Sequence, residues 1–183
     1  MNNMKNKKGF SLVEVLVVMS IIMVLSAVAG LSISIVNNAN VSKAAKKLDS
    51  MFNDARVTAM AKGEAKGMLS LKVVDGTMYG YIGTTPPANI KDWEQISGSA
   101  VKVAREHKPA TFNVETVNTI PVANLADGSL QQITFTPSGA AKVVGGANIT
   151  STEVYTFHHG KRACIFYFYP ETGQHGTRIF NVP

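Results

Sequence analysis

The sequence predicts an α+β chain: one long N-terminal α-helix, transmembrane in its first half and amphipathic in its second, packed on a C-terminal antiparallel β-sheet domain. Three observations predict it. An uncharged run from Val15 to Ser42 passes straight into apolar residues at helical spacing. After Gly63 the apolar period shortens to that of a strand, and Asp75-Gly76 stands between two such segments. Cys164 is the single cysteine, so no internal disulfide substitutes for a packed core. With 183 residues, the chain suits one domain carrying an N-terminal appendage.

The appendage comes first. Val15–Val36 is apolar apart from Ser20, Ser26, Ser32 and Ser34, whose hydroxyls can bond back to the helix backbone, and from Gly30. About 20 apolar residues suffice to cross a bilayer as a helix. Lys5, Lys7 and Lys8 precede the run, a leader charge that predicts a cytoplasmic N-terminus and an extracytoplasmic C-terminal domain. These three lysines supply half of the formal charge of +6, and the rest of the chain is too mildly basic to announce a nucleic-acid binder.

Three readings of this segment compete. A secretory signal peptide has an apolar region of about 7–15 residues, shorter than this one, although Ser26-Ala27-Val28-Ala29 would serve as its cleavage site. An uncleaved anchor for an outer domain with a binding or catalytic function explains length and orientation. It does not explain Glu14, because an unpaired carboxylate in lipid is costly. The third reading is a resemblance. The stretch "KKGFSLVEVLVVMSII" resembles the processing site of type IV prepilins and pseudopilins. The resemblance implies cleavage between Gly9 and Phe10 by a prepilin peptidase, N-methylation of Phe10, and an assembly role for Glu14. It also implies partners: other pilin or pseudopilin subunits, an inner-membrane assembly platform with its ATPase, and the lipid bilayer. Cleavage would leave a cationic amine at Phe10, one helical turn from Glu14. The carboxylate's partner is then either its own amine or, as the family implies, that of a neighbouring subunit; the plainer alternative is a residue snorkelling to the headgroups.

Beyond Asn37-Asn38 the apolar residues Val41, Ala44, Ala45, Leu48, Met51, Phe52, Ala55 and Ala59 form the stripe of an amphipathic helix. The helix is expected from about Phe10 to Ala61, with Gly63 as its stop. The expected divisions are a leader at 1–9, a membrane or filament-core half at 10–36, an amphipathic half at 37–62 and a β domain at 63–183. Expected strands are Gly67–Val74, a return at 77–83 after the Asp75-Gly76 turn, Ala110–Val117, Gln132–Thr136, Ala140–Val144, a hairpin within 153–170 turning at His159-Gly160, and Thr177–Val182. Residues 84–99 read as an irregular loop, since Pro86-Pro87 excludes a central strand. Major pilins carry a proline where Leu31 stands here, and commonly a C-terminal disulfide loop. Both departures point to a minor pilin or pseudopilin. The helix end with Ala55-Arg56, the segment Ile133–Lys142 and the closing "ETGQHGTRIF" resemble the GspH/FimT type of minor pseudopilin.

Catalytic chemistry finds no residues to stand on: no G-x-S-x-G, P-loop or G-x-G-x-x-G occurs. His158, His159, Cys164 and His175 are the only metal-type set, and adjacent histidines on a strand point to opposite faces. No metal or cofactor is therefore expected. Lys142, Lys161, Arg162 and Arg178 are candidate contacts to DNA phosphates, with Tyr155, Tyr167 and Tyr169 as stacking faces. The plainer alternative makes the basic groups ordinary strand-face residues and lets the tyrosines pack the sheet.

Overall fold

The computed structural model describes residues 10–109, 111–121, 124–144 and 151–182, and gives backbone alone at 28–34 and 37. Helix α1 spans Leu12–Lys62. The chain divides into two compact units between Val36 and Asn37.

In the first unit, α1 is apolar on every side and its described side chains are exposed, from Leu12 to Leu25. The serine hydroxyls return to the helix backbone as the sequence suggests: Ser20 Oγ donates to the Val17 carbonyl at 2.7 Å and Ser26 Oγ to that of Ile22 at 2.7 Å. Each hydroxyl is thereby satisfied without a partner from outside the helix.

In the second unit, the stripe from Val41 to Ala59 is buried and the helix stops ahead of Gly63, whose N–H donates to the Ala59 carbonyl at 2.9 Å. Among the described residues nine strands follow: β1 (Leu69–Val74), β2 (Thr77–Ile82), β3 (Glu94–Gln95), β4 (Lys102–Lys108), β5 (Leu130–Phe135), β6 (Ala141–Val143), β7 (Thr152–His159), β8 (Arg162–Tyr169) and β9 (Gln174–Asn181). They form two antiparallel sheets, ordered β3-β2-β1-β5-β6 and β4-β7-β8-β9. The Asp75-Gly76 turn joins β1 to β2 with φ positive at both residues, 50° and 70°, the backbone of a tight primed hairpin.

Both sheets and the helix meet at Phe52. Its ring lies 4.8 Å from Phe135 of β5, edge to face, 4.8 Å from Phe168 and 5.3 Å from Phe166 of β8. Such aromatic pairs each contribute about 0.5–1.5 kcal/mol beyond the area they bury. A second, smaller cluster fills the outer face of the four-stranded sheet, where Val154, Ala163, Ile165 and Phe180 are covered by Phe112, Val114, Val117 and Ile120.

The antiparallel β domain is built as two sheets. Two expectations are corrected. The strand expected at Ala110–Val117 does not form among its described residues; Asn113 instead caps a short 3-10 turn, Val114–Thr116, by accepting the Glu115 N–H at 2.9 Å. Ala110 itself lies outside the described residues. The apolar residues that suggested a strand are the plug just described. Second, the loop at 84–99 contains the two-residue β3, paired to β2.

Three segments distant in sequence converge on Arg56. The β5–β6 turn and the β8–β9 turn each place a glycine against its guanidinium, Gly139 at φ 84° and Gly173 at φ 65°. A Cβ at Gly139 would sit 2.8 Å from Arg56 Nε, and one at Gly173 would meet the Gly139 carbonyl oxygen. Arg56 Nη2 lies 3.5 Å from the Thr172 carbonyl, and the Ala141 N–H donates to the Pro170 carbonyl at 2.8 Å, joining the two turns. Substituting Gly173→Ala therefore combines left-handed backbone strain with a backbone collision, a loss of about 2–3 kcal/mol. Circular dichroism of the full chain in detergent should show the β unit melting roughly 5–10 °C lower. Gly98→Ala, where nothing lies within 4 Å, should leave the melting point unchanged.

Candidate processing and assembly segment

Helix α1 begins with a reciprocal pair of hydrogen bonds. The Ser11 N–H donates to Glu14 Oε2 at 2.9 Å, and the Glu14 N–H donates to Ser11 Oγ at 3.2 Å. The Val15 N–H closes the first turn on the Ser11 carbonyl at 3.2 Å. This is a capping box: Ser11 is the N-cap, and two backbone donors at the start of the helix are satisfied by side chains. The carboxylate also lies at the positive end of the helix dipole. Sequence reasoning sought an amine for Glu14 and passed over Ser11, although the S-x-x-E spacing signals the box. Among the described residues Glu14 Oε1 makes no further hydrogen bond.

Phe10 precedes the cap. It belongs to no helix or strand, and 87 % of its surface is exposed. Gly9 and the leader lysines Lys5, Lys7 and Lys8 lie outside the described residues. Among the described residues no helix is long and apolar enough to cross a membrane. The described side chains of the apolar run break after Ala27, whereas the sequence stays apolar to Val36.

The other candidates are placed as follows. Cys164 opposes Phe157 in the β7–β8 ladder, while His158 opposes Ala163, so the cysteine and His158 do not face each other. Cys164 sits in the main core, where burial pushes its thiol up to about 11. His159 Nδ1 lies 2.7 Å from the Ala100 carbonyl, and His175 packs on Phe52 with ring centroids 4.7 Å apart. Among the described residues no three His, Cys, Asp or Glu side chains are grouped to hold a metal ion.

The four basic residues fall on separate elements. Lys142 lies on β6 of one sheet, and Lys161 and Arg162 at the β7–β8 turn of the other. Arg162 Nη1 donates to Asn181 Oδ1 at 2.7 Å. Arg178 is turned to the loop that plugs the outer face, donating to the carbonyls of Val117, at 3.1 Å, and Val114. Tyr155 is fully buried and its hydroxyl donates to Gln131 Oε1 at 2.7 Å. Tyr167 and Tyr169 pack edge to face at 5.8 Å and line an open cleft of about 470 Å³ with Phe112, Val114 and Arg178.

Two measurements check this placement. Cys164 in the folded chain should react with iodoacetamide at roughly pH 8 more than about a hundredfold slower than in denaturant, since thiolate and access are both lost. His158 is held below its usual value by burial, aided by the charges of Lys102 and His159. Its neutral form is favoured in the fold, so the unfolded chain takes up the proton first as pH falls below 6.5. The stability His158 contributes is complete above that pH and declines below it. Melting curves of His158→Gln should show a shallower loss on acidification than the parent chain.

Residues 4–30 match the family described as the prokaryotic N-terminal methylation motif. No curated protein and no solved structure matches the chain. The match ends at residue 30, so it covers Lys5, Lys7 and Lys8, the Gly9-Phe10 pair, the capping box and most of the apolar run. The N-terminal segment of this chain carries the prokaryotic N-terminal methylation motif, a class III signal peptide of the type that prepilin peptidase processes, and this supports the type IV prepilin and pseudopilin family.

Proposed function

We propose that the chain is a minor pilin or pseudopilin, a structural subunit of a type IV pilus, type II secretion or competence filament. One observation carries the proposal: the methylation motif opens a helix whose apolar side chains, from Leu12 to Leu25, are uncovered within their own unit. A helix that is apolar on all sides is stable only in lipid or among other helices. A subunit held first in the cytoplasmic membrane and then in a filament core meets both environments in turn.

On this reading the leader lysines keep the N-terminus cytoplasmic and the β unit outside. Prepilin peptidase cuts between Gly9 and Phe10, and the new Phe10 amine is methylated. The assembly platform then moves the subunit from lipid to filament, where Glu14 meets the amine of a neighbouring subunit. The role is structural rather than enzymatic. Support for a minor pseudopilin of the GspH/FimT type comes from Arg56, Gly139 and Gly173: the three segments carrying that finer resemblance meet at one point.

Mass spectrometry of the mature N-terminus tests the proposal. The expected species begins at N-methylated Phe10. An intact Met1, or a cut near Ala29, overturns it. In the producing cell, Glu14→Ala should still reach the membrane but enter filaments at least about tenfold less, the equivalent of ~1.4 kcal/mol lost per subunit contact.

A further inference from the structure

We infer that the Ser11–Glu14 capping box is also a processing device: it stops helix α1 at Ser11 and so keeps the bond that precedes Phe10 out of the helix. The inference rests on Gly9–Phe10 being the bond that prepilin peptidase hydrolyses. In that step water gives its hydroxyl to the Gly9 carbonyl carbon and a proton to the Phe10 nitrogen, and the C–N bond breaks. Nothing is oxidised or reduced.

A peptidase needs the scissile carbonyl free, because negative charge develops on its oxygen and must be met by the enzyme's donors. Inside an α-helix that carbonyl is already engaged by the N–H four residues on. The apolar helix behind Phe10 has reason to grow in that direction. Its first N–H groups are orphans, and the nearer they lie to lipid the less water there is to satisfy them. The box removes part of that reason, satisfying two of these donors: Ser11 Oγ takes the Glu14 N–H and Glu14 Oε2 takes the Ser11 N–H. Phe10, exposed and outside the helix, is the local result. Ser11 is thus a positioning residue for cleavage, acting through the backbone rather than by touching the peptidase.

The box also divides the work of Glu14. Capping uses Oε2 as a hydrogen-bond acceptor and requires no charge, so a glutamine amide oxygen can replace it. Pairing with an amine does require the charge.

The test uses the full-length chain with prepilin peptidase in membrane vesicles, following release of residues 1–9 by mass spectrometry. Amide hydrogen exchange at Leu12, Val13 and Glu14 is read in parallel on the uncut chain in detergent. Ser11→Ala should slow the initial cleavage rate about fivefold, the equivalent of ~1 kcal/mol of lost capping, and should raise exchange at Glu14. Ser11→Thr and Ser11→Asn, which cap with different side chains, should restore both readouts. Glu14→Gln should be cleaved at the parent rate. Cleavage of Ser11→Ala at the parent rate overturns the inference while the proposed function stands. So does slow cleavage of Ser11→Asn with exchange protection restored, because the peptidase would then be reading serine itself. A parent chain that stays uncut overturns the processing reading and this inference together.

Discussion

The apolar side chains that α1 presents between Leu12 and Leu25 have no cover within their own unit, and this constraint orders the rest of the molecule. A surface of that kind must be removed from water, and a bilayer or a bundle of like helices does so for every side at once. Ser20 and Ser26 along it stay compatible with either medium because their hydroxyls are satisfied by the helix's own carbonyls. Only the two ends need polar solutions. At the start, the capping box supplies one. After Val36 the same helix changes character and needs a second.

That second solution is the β unit. From Val41 the helix buries a stripe rather than a cylinder, and Phe52 sits where both sheets reach it. One helical turn later, Arg56 leaves the aromatic cluster and enters the space between two turns, one from each sheet. Glycine at 139 and 173 follows from this geometry: the guanidinium and the opposing turn occupy the volume a Cβ would need. Phe52 supplies the apolar contact of the seam, and Arg56 fixes how the turns close over it.

Much of this was legible in the sequence because it rests on short-range patterns. The stop at Gly63, the Asp75-Gly76 hairpin and the hairpin through His159-Gly160 are local signals, and the structure has all three. Strand β4 has no local signal for a physical reason: Arg105 and His107 interrupt the apolar alternation that Val103 begins, and their partner, the buried Glu153, lies on β7, far away in sequence. The Arg105 Nε–Glu153 Oε2 distance is 2.8 Å, and Glu153 is fully buried. The same blindness turned Phe112, Val114 and Val117 into a strand: alternation reveals an apolar face but not which element it covers. At the helix start, a charge commanded attention and the serine that engages it did not.

Glu14 is where the two halves of the argument meet. Its cost in lipid would be hard to justify if the residue only waited for a partner. In the uncut chain it already has one, the Ser11 amide, so part of that cost is offset before any neighbour arrives. The bond leaves Oε1 available among the described groups, so a neighbour's amine can be added without breaking the cap. On the proposed function, an intramolecular hydrogen bond and an intersubunit ion pair would be successive uses of one carboxylate. The first fixes where the helix begins. By doing so it fixes how far the charge stands from the Phe10 nitrogen, and a register set by pairing that charge to an amine can be no sharper than this distance.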